Sequence, residues 1–486
     1  MSGERGGVMT AARRTRRFAR VLVAGPLGAL IAIGLSVIPS TTVQAQVVRH
    51  TRAGEVAGPL PAGAEVRALP FPARHAALYW AGNPEAVVTV AFTTDGTRFT
   101  APVTVEHDEV GMQRGNGETY GAVLPAGGAT SARVTSDRPL GRLTILALTE
   151  ESATVERTEV PRNPAGAQTV DQDVVPRSGW NADESLRFDR RGREIWPPVF
   201  QTVQKLVVHH TAGANGESGE AAKATIRSMY YYHSVTQGWG DIGYNFLIDA
   251  AGVVYKGRHS HAPGTTADTL SGENVAGQGV TAGHAYGYNS GTVGVAMLGT
   301  YTSVDAPDPT KSALKSFLIA KAKAHGLDTA KQGLFTSPVN GTQATFENIP
   351  GHREVPGNAT ECPGGYFQDS VLRSMRSEIQ AAAGPADVTA PADPSALNAA
   401  LSKRNAVLSW PASACDAGTA GGGISGVAGY DIWRAPAGGT PARIASTTAL
   451  TYTDTSRARG VTYDYYVKTF DGAGNRGAGT KGANPL

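Results

Sequence analysis

The sequence predicts a multidomain chain: a central α/β domain, a mixed sheet flanked by helices, between an N-terminal all-β module and a C-terminal β-sandwich. Three observations predict it. Apolar strand-like runs alternate with long helical ones only between about residues 177 and 383. Short strands separated by turn signals fill both flanks. Joints rich in Pro, Gly and Ala separate the three stretches. Length agrees, because 486 residues exceed one ordinary hydrophobic core. With 44 basic and 41 acidic residues the net charge is +3, which supplies no concentrated basic face for nucleic acid.

Taken in order, residues 1–45 read as a signal peptide. Arg13, Arg14, Arg16, Arg17 and Arg20 precede an apolar run from Val21 to Ile38, and Val43-Gln44-Ala45 offers a small-x-small cleavage site after Ala45. Gly25, Pro26 and Gly28 weaken the alternative of a membrane-spanning anchor. The arginine pairs do not decide between the general and twin-arginine export routes.

Residues 46–160 carry short strands such as Ala77–Trp80, Gly121–Leu124, Ala132–Thr135 and Leu143–Leu148. With turns at Asp95-Gly96, Gly115-Asn116-Gly117 and Gly127-Gly128, they predict a small sandwich. A linker follows at 161–176. The central domain, 177–383, opens on a buried strand at Lys205–Val208, a helix over Ala221–Tyr232 and a strand at Tyr244–Asp249. Thr292–Gly299 is a further buried strand. Pro309 suits the first turn of a helix that runs to Ala324, and Asp369–Ala383 is a last amphipathic helix. After a linker at 384–394, strands at Val407–Trp410, Gly429–Arg434, Thr451–Thr453 and Thr462–Thr469 make residues 395–486 a sandwich of ordinary size.

The chain holds 2 cysteines, Cys362 and Cys415, in different predicted domains, so a disulfide framework is not expected. Zinc-type ligands concentrate in the central domain. Val208-His209-His210-Thr211 ends a buried strand, where successive side chains face opposite ways and one imidazole can enter a cleft. Gly351-His352-Arg353-Glu354 and Thr360-Glu361-Cys362-Pro363-Gly364 frame a loop that can fold both side chains onto one ion. Two imidazoles and a thiolate suit zinc and leave a fourth position open. The same residues read equally as a buried free thiol and core or surface histidines, since this spacing is no standard finger.

Several motifs in one order resemble the peptidoglycan recognition protein/type 2 amidase family. Arg177-Ser178-Gly179-Trp180 resembles its opening, and Trp239-Gly240-Asp241-Ile242-Gly243-Tyr244-Asn245-Phe246 is very similar to its Asp-Ile-Gly-Tyr-Asn-Phe signature. Gly283-His284-Ala285, Gly287-Tyr288-Asn289 and Thr292-Val293-Gly294-Val295 resemble its substrate-groove segment. The resemblance implies zinc ligands His209, His352 and Cys362, catalytic roles for Tyr244 and Thr360, and a substrate-binding wall from His284, Tyr288 and Asn289. It implies a secreted or cell-wall zinc-dependent N-acetylmuramoyl-L-alanine amidase. Such an enzyme acts as a monomer on bacterial peptidoglycan or muropeptides, with no nucleic-acid partner and no membrane after signal cleavage. The alternative is a non-catalytic peptidoglycan-binding protein on the same fold; members that only bind tend to have lost the cysteine. A zinc protease would need a His-Glu-x-x-His helix, which is missing from the sequence.

Asp241 and Glu361 are candidate general bases by position alone. His233 reads as structural, His210 as structural or as support behind a ligand, and His259 and His261 are not assigned. The C-terminal segment resembles a fibronectin type III domain through Val407-Leu408-Ser409-Trp410, Gly429-Tyr430-Asp431-Ile432-Trp433-Arg434 and Thr462-Tyr463-Asp464-Tyr465-Tyr466-Val467.

Overall fold

A computed structural model describes residues 42–107, 117–159, 174–261, 265–274, 276–384, 386–414, 426–483 and 486. Most of the expected signal peptide, most of the 161–176 linker and Cys415 lie outside these residues.

The N-terminal segment forms one six-stranded sheet of order β1-β6-β2-β5-β3-β4. Its strands are β1 (Thr42–Leu60), β2 (Gly63–Ala81), β3 (Val88–Thr93), β4 (Val103–Thr104), β5 (Glu118–Ser136) and β6 (Leu140–Glu159). Where the sequence pattern suggests short strands, one each at Ala77–Trp80 and Leu143–Leu148 and two at Gly121–Leu124 and Ala132–Thr135, the structure has strands of 19 or 20 residues. Gly127 and Gly128, at φ 61 and 82°, bend β5 in mid-course instead of reversing it. A register shift between Ala73 and His75, paired with Ala129 and Pro125, disturbs the β2–β5 ladder at the same level.

Parts of β2, β5 and β6 are buried on both faces. Leu78, Trp80, Ile145 and Ala147 face the sheet's own core, while Ala77, Tyr79, Leu146 and Leu148 alternate onto the opposite face. That second face packs against Ile226, Met229 and Tyr230 of helix α1 (Gly219–Tyr231).

The central sheet has order β7-β11-β10-β13-β9. Its strands are β7 (Val174–Val175), β9 (Lys205–His210), β10 (Phe246–Ile248), β11 (Val254–Lys256) and β13 (Thr292–Met297); a separate short pair joins β8 (Phe200–Gln201) to β12 (Gly279–Val280). The run β10-β13-β9 is parallel and β10-β11 antiparallel, giving the mixed sheet expected. Helix α1 covers one face. The other carries α2 (Asp308–Ala324), the short turn α3 (Gly365–Phe367) and α4 (Arg373–Ala383), through Leu314, Leu318, Phe367 and Ile379. Every residue of β9 is buried, because its free edge is covered by a parallel bridge from Val208 to Gly351, with Val208 N–H donating to Pro350 O at 2.9 Å. That bridge delivers His352 beside His209.

A hairpin of β14 (Gln332–Thr336) and β15 (Gln343–Glu347) precedes the bridge. C-terminal to the central fold stand two sheets. One joins β16 (Asn398–Ser402), β17 (Asn405–Ser409) and β20 (Thr451–Asp454). The other joins β18 (Val427–Pro436), β19 (Ala442–Thr447), β21 (Tyr463–Asp471) and β22 (Thr480–Lys481). Leu408, Trp410, Ile432, Tyr465 and Val467 share one core between them.

Candidate metal centre and cleft

His209, His352 and Cys362 each offer one ligand atom, and the three atoms lie within 4.8 Å of one another. Strand alternation sends Leu206 and Val208 into the core and His209 to the opposite side. Cys362 comes from the loop after His352, held by the Arg353 N–H donating to Cys362 O at 2.8 Å. Its Sγ accepts the backbone N–H of His210 at 3.3 Å and lies 3.6 Å from His209 Nδ1.

The hydrogen-bond network fixes the imidazole tautomers. Thr292 Oγ1 donates to Tyr288 O at 2.6 Å, so toward His284 Nε2, at 3.3 Å, its oxygen accepts. His284 Nδ1 is then the acceptor for His209 Nε2–H at 3.0 Å. The bare nitrogen of His209 is therefore Nδ1, the one that faces Cys362. Burial, with the neighbouring histidines adding to it, holds His209 well below the usual imidazole range and His284 at about 3, so both rings are neutral. Gly294 makes room for this stack: a Cβ there would stand 2.4 Å from His284 Cγ.

Asn358 orients the second histidine. Its amide is clamped by Tyr286, whose N–H donates to Asn358 Oδ1 at 3.1 Å while Asn358 Nδ2 donates to Tyr286 O at 3.2 Å. Oδ1 thus faces His352 Nε2–H at 3.1 Å, and His352 keeps Nδ1 for a ligand role. Two imidazole nitrogens and a cysteine sulfur are a donor set that zinc accepts with one position left open.

A cleft of about 580 Å³ opens on this centre. Its central side is lined by His210, His233, Tyr244, Thr360, Glu361 and Cys362. The opposite wall comes from the N-terminal sheet, through Val87, Thr104, Glu106 and His107 among others. Glu106 ties the two together. His210 Nδ1 accepts the Tyr301 N–H at 3.2 Å, so its Nε2–H donates to Glu106 Oε2 at 3.2 Å, and Thr302 Oγ1 donates to Glu106 Oε1 at 3.2 Å. Burial raises the Glu106 carboxyl, but the bonds and charge from His210 and the Thr302 hydroxyl outweigh it and hold it below its usual value.

The other expected site residues take these places. The Tyr244 ring lies 5.5 Å from that of His209. Thr360 Oγ1 accepts the Cys362 N–H at 2.7 Å, fixing the turn before the ligand. His284 is fully buried behind His209. Tyr288 packs on Phe335 and Phe346, and Asn289 Oδ1 accepts the N–H groups of His284 and Ala285 at 2.8 and 2.7 Å. This turn supports the metal strand from behind. His233 Nδ1 accepts the Gly243 N–H at 3.1 Å and so shapes the segment before Tyr244.

Asp241 is not placed to act as a base. It is fully buried between Arg177 at 2.9 Å and Arg258 at 2.7 Å. Burial pushes its carboxyl up, but the two guanidinium groups outweigh it and hold it far below the usual carboxylate range. The sequence reading missed Thr292, Asn358 and Glu106. The first two stand inside or beside quoted motifs, yet nothing local marks their partners.

A two-histidine, one-cysteine cluster that could hold a metal ion stands at the end of a mixed-sheet strand, beside a cleft, in a domain of the α/β class. The Amidase_2 family model, described as N-acetylmuramoyl-L-alanine amidase, matches residues 199–365. Peptidoglycan-recognition protein SC1a/b of Drosophila simulans is 32% identical over 199 residues, 41% of this chain and 83% of the relative. The human N-acetylmuramoyl-L-alanine amidase is 38% identical over 200 residues, 40% of this chain and 27% of that protein. A solved structure of Drosophila PGRP-LB, 24% identical, covers 41% of this chain and 91% of that one with a TM-score of 0.29. The chain belongs to the peptidoglycan recognition protein/type 2 amidase family, which holds both catalytic amidases and recognition proteins.

Proposed function

We propose that this chain is a secreted, zinc-dependent N-acetylmuramoyl-L-alanine amidase. It hydrolyses the amide between N-acetylmuramic acid and the L-alanine of the stem peptide in bacterial peptidoglycan. The observation that carries this reading is the convergence of His209, His352 and Cys362 on one point, beside a cleft that His352 and Cys362 line. A protein that only bound the wall would have no use for a complete set of zinc donors.

Zinc held by His209, His352 and Cys362 supplies Lewis-acid activation of the amide carbonyl and of water. The chain's own residues do the rest. His284 with Thr292, and Asn358, hold the ligand tautomers. Tyr244 and Thr360 border the cleft, where each hydroxyl donates toward charge developing on the carbonyl oxygen, a contribution of about 3 kcal/mol per donor. His284, Tyr288 and Asn289 form the turn behind His209 and line no part of the cleft. Three carboxylates line the cleft: Glu85, Glu106 and Glu361. Glu106 is tied to His210 and Thr302, Glu361 faces Arg353 at 3.5 Å, and Glu85 stands on the far wall.

In this reading residues 1–45 direct export, 46–160 wall the cleft, 177–383 form the amidase, and 395–486 form a fibronectin type III-like spacer. No helix among the described residues is long and apolar enough to cross a membrane. Digestion of purified peptidoglycan with the protein and with Cys362→Ala, read by mass spectrometry, tests the assignment. Free stem peptides with a new alanine amine from the wild type alone support it. Wall that binds the zinc-loaded protein but yields no such peptides overturns it in favour of recognition without cleavage.

A further inference from the structure

Outside the cleft, a second cluster of metal-type donors is built where two segments meet. His259 and His261 flank Ser260 and so project to one side of extended backbone, with ring centroids 5.3 Å apart. Their backbone is anchored: the His259 N–H donates to Asp241 Oδ2 at 2.9 Å, and the Ser260 N–H to Asp268 Oδ1 at 2.7 Å. Opposite stands Glu194, one carboxylate oxygen bonded to Arg187 and the other 2.9 Å from His261 Nε2. One ligand atom from each of Glu194, His259 and His261 lies within 4.8 Å of the others. None of the three lines the cleft.

We propose that Glu194, His259 and His261 form a second site for a divalent transition-metal cation, separate from the centre at Cys362. The competing explanation is a plain His261–Glu194 hydrogen bond with His259 as a bystander. It leaves His259 Nδ1, on a side chain only 3% exposed, with no hydrogen-bond partner among the described residues. A buried polar atom left so costs about 1–3 kcal/mol. Asp268 Oδ2 is buried and unpartnered in the same way, and its charge acts on His259. A cation satisfies an imidazole lone pair directly, and the Asp268 charge offsets that of Arg187. Two imidazoles and one carboxylate are a donor set that zinc accepts with one position open, and the absence of sulfur separates it chemically from the first centre.

The site joins the 188–196 loop to the 257–261 segment. Ile195 lies so close to Gly240 that a Cβ there would stand 2.5 Å from Ile195 Cβ, and Trp196 packs under Arg258 and against Gly283. Metal binding at Glu194 thereby stiffens the loop that braces the Asp241–Tyr244 signature.

The test loads the full chain, stripped of metal, with zinc or with cobalt(II). Elemental analysis is expected to show two zinc ions per chain. Cobalt is expected to give one equivalent with a thiolate charge-transfer band and a second with ligand-field bands only. The double variant Glu194→Gln/His261→Ala keeps the thiolate band and one zinc; Cys362→Ser loses the band and keeps one zinc. If the double variant loses its circular dichroism, Glu194→Gln alone is expected to weaken the second equivalent about tenfold or more. A wild type that binds a single equivalent, or folded variants at Glu194 and His261 that still bind two with unchanged affinity, would overturn the proposal. None of these readouts depends on amidase activity.

Discussion

Replacing Thr292 with valine tests the tautomer relay behind the metal centre while keeping the side-chain shape. The hydroxyl accepts from His284 Nε2–H and donates to Tyr288 O. Without it His284 has two outcomes. It keeps Nε2–H buried and unpaired, at about 1–3 kcal/mol. Otherwise it moves the proton to Nδ1, where it meets His209 Nε2–H across 3.0 Å and drives that proton to His209 Nδ1, the nitrogen facing Cys362. Either outcome lowers metal affinity, by roughly 10- to 100-fold, the usual cost of losing a group that orients a ligand. That ratio corresponds to about 1.4–2.8 kcal/mol, inside the range of the unpaired N–H. Cobalt(II) titration against a chelator of known affinity, following the thiolate charge-transfer band, reads this centre alone. Thr292→Ser retains the hydroxyl and should recover most of the loss. Affinity of Thr292→Val within about twofold of wild type, far short of the tenfold expected, would refute the relay.

Four further outcomes follow from the same geometry. His75 bonds Thr225 and Ser228 of α1 at 2.9 Å each, and burial, with Arg74 adding to it, lowers it from 6.5 to about 4. The unfolded chain therefore binds the extra proton first. The contribution is complete above pH 6.5 and is lost as pH falls toward 4, about 3 kcal/mol in all, read as a falling urea midpoint that His75→Gln flattens. Gly294→Ala sets a Cβ 2.4 Å from His284 Cγ and should lower stability by about 1–3 kcal/mol together with zinc affinity; unchanged zinc binding would count against the packing argument. Glu106→Ala removes the acceptor shared by His210 and Thr302, and should raise KM for soluble muropeptides more than it lowers kcat. A KM left unchanged speaks against the N-terminal sheet as a substrate wall. Chelation should abolish amide hydrolysis and zinc should restore it, whereas full activity in chelator would sink the zinc reading.

Sequence periodicity located elements well where hydrophobic spacing and caps agree. The Pro309–Ala324 helix is observed as Asp308–Ala324, and the Lys205–Val208 strand extends only to His210. It misjudged the N-terminal sheet for a physical reason. Gly127-Gly128 has the composition of a turn, and composition does not distinguish a reversal from a bend inside one strand. The burial of both faces was likewise hidden, since Ala77, Tyr79, Leu146 and Leu148 read as core whether their partners are in the same sheet or on α1.

The candidate ligands were legible because few residue types bind zinc and those types stand in sparse, ordered motifs. Their supports were not, because a hydroxyl or amide that orients an imidazole is chemically ordinary until the fold supplies its partner. Thr292 acquires its role only through His284, and Asn358 only because Tyr286 clamps both ends of its amide. The case of Asp241 runs the other way. Its place in the signature beside Tyr244 suggests a base, yet two buried arginines claim both its oxygens, and its work is to hold Arg177, Arg258 and the His259 backbone in one network. A motif residue can therefore be essential to the position of the reacting groups while never meeting the substrate. Glu106 shows the converse: without a motif, and outside the segment that the family model matches, it reaches the strand that carries the candidate ligand His209. If the cleft selects among wall fragments, the selection rests on such residues of the N-terminal sheet, because the family segment 199–365 supplies only the other side of the cleft.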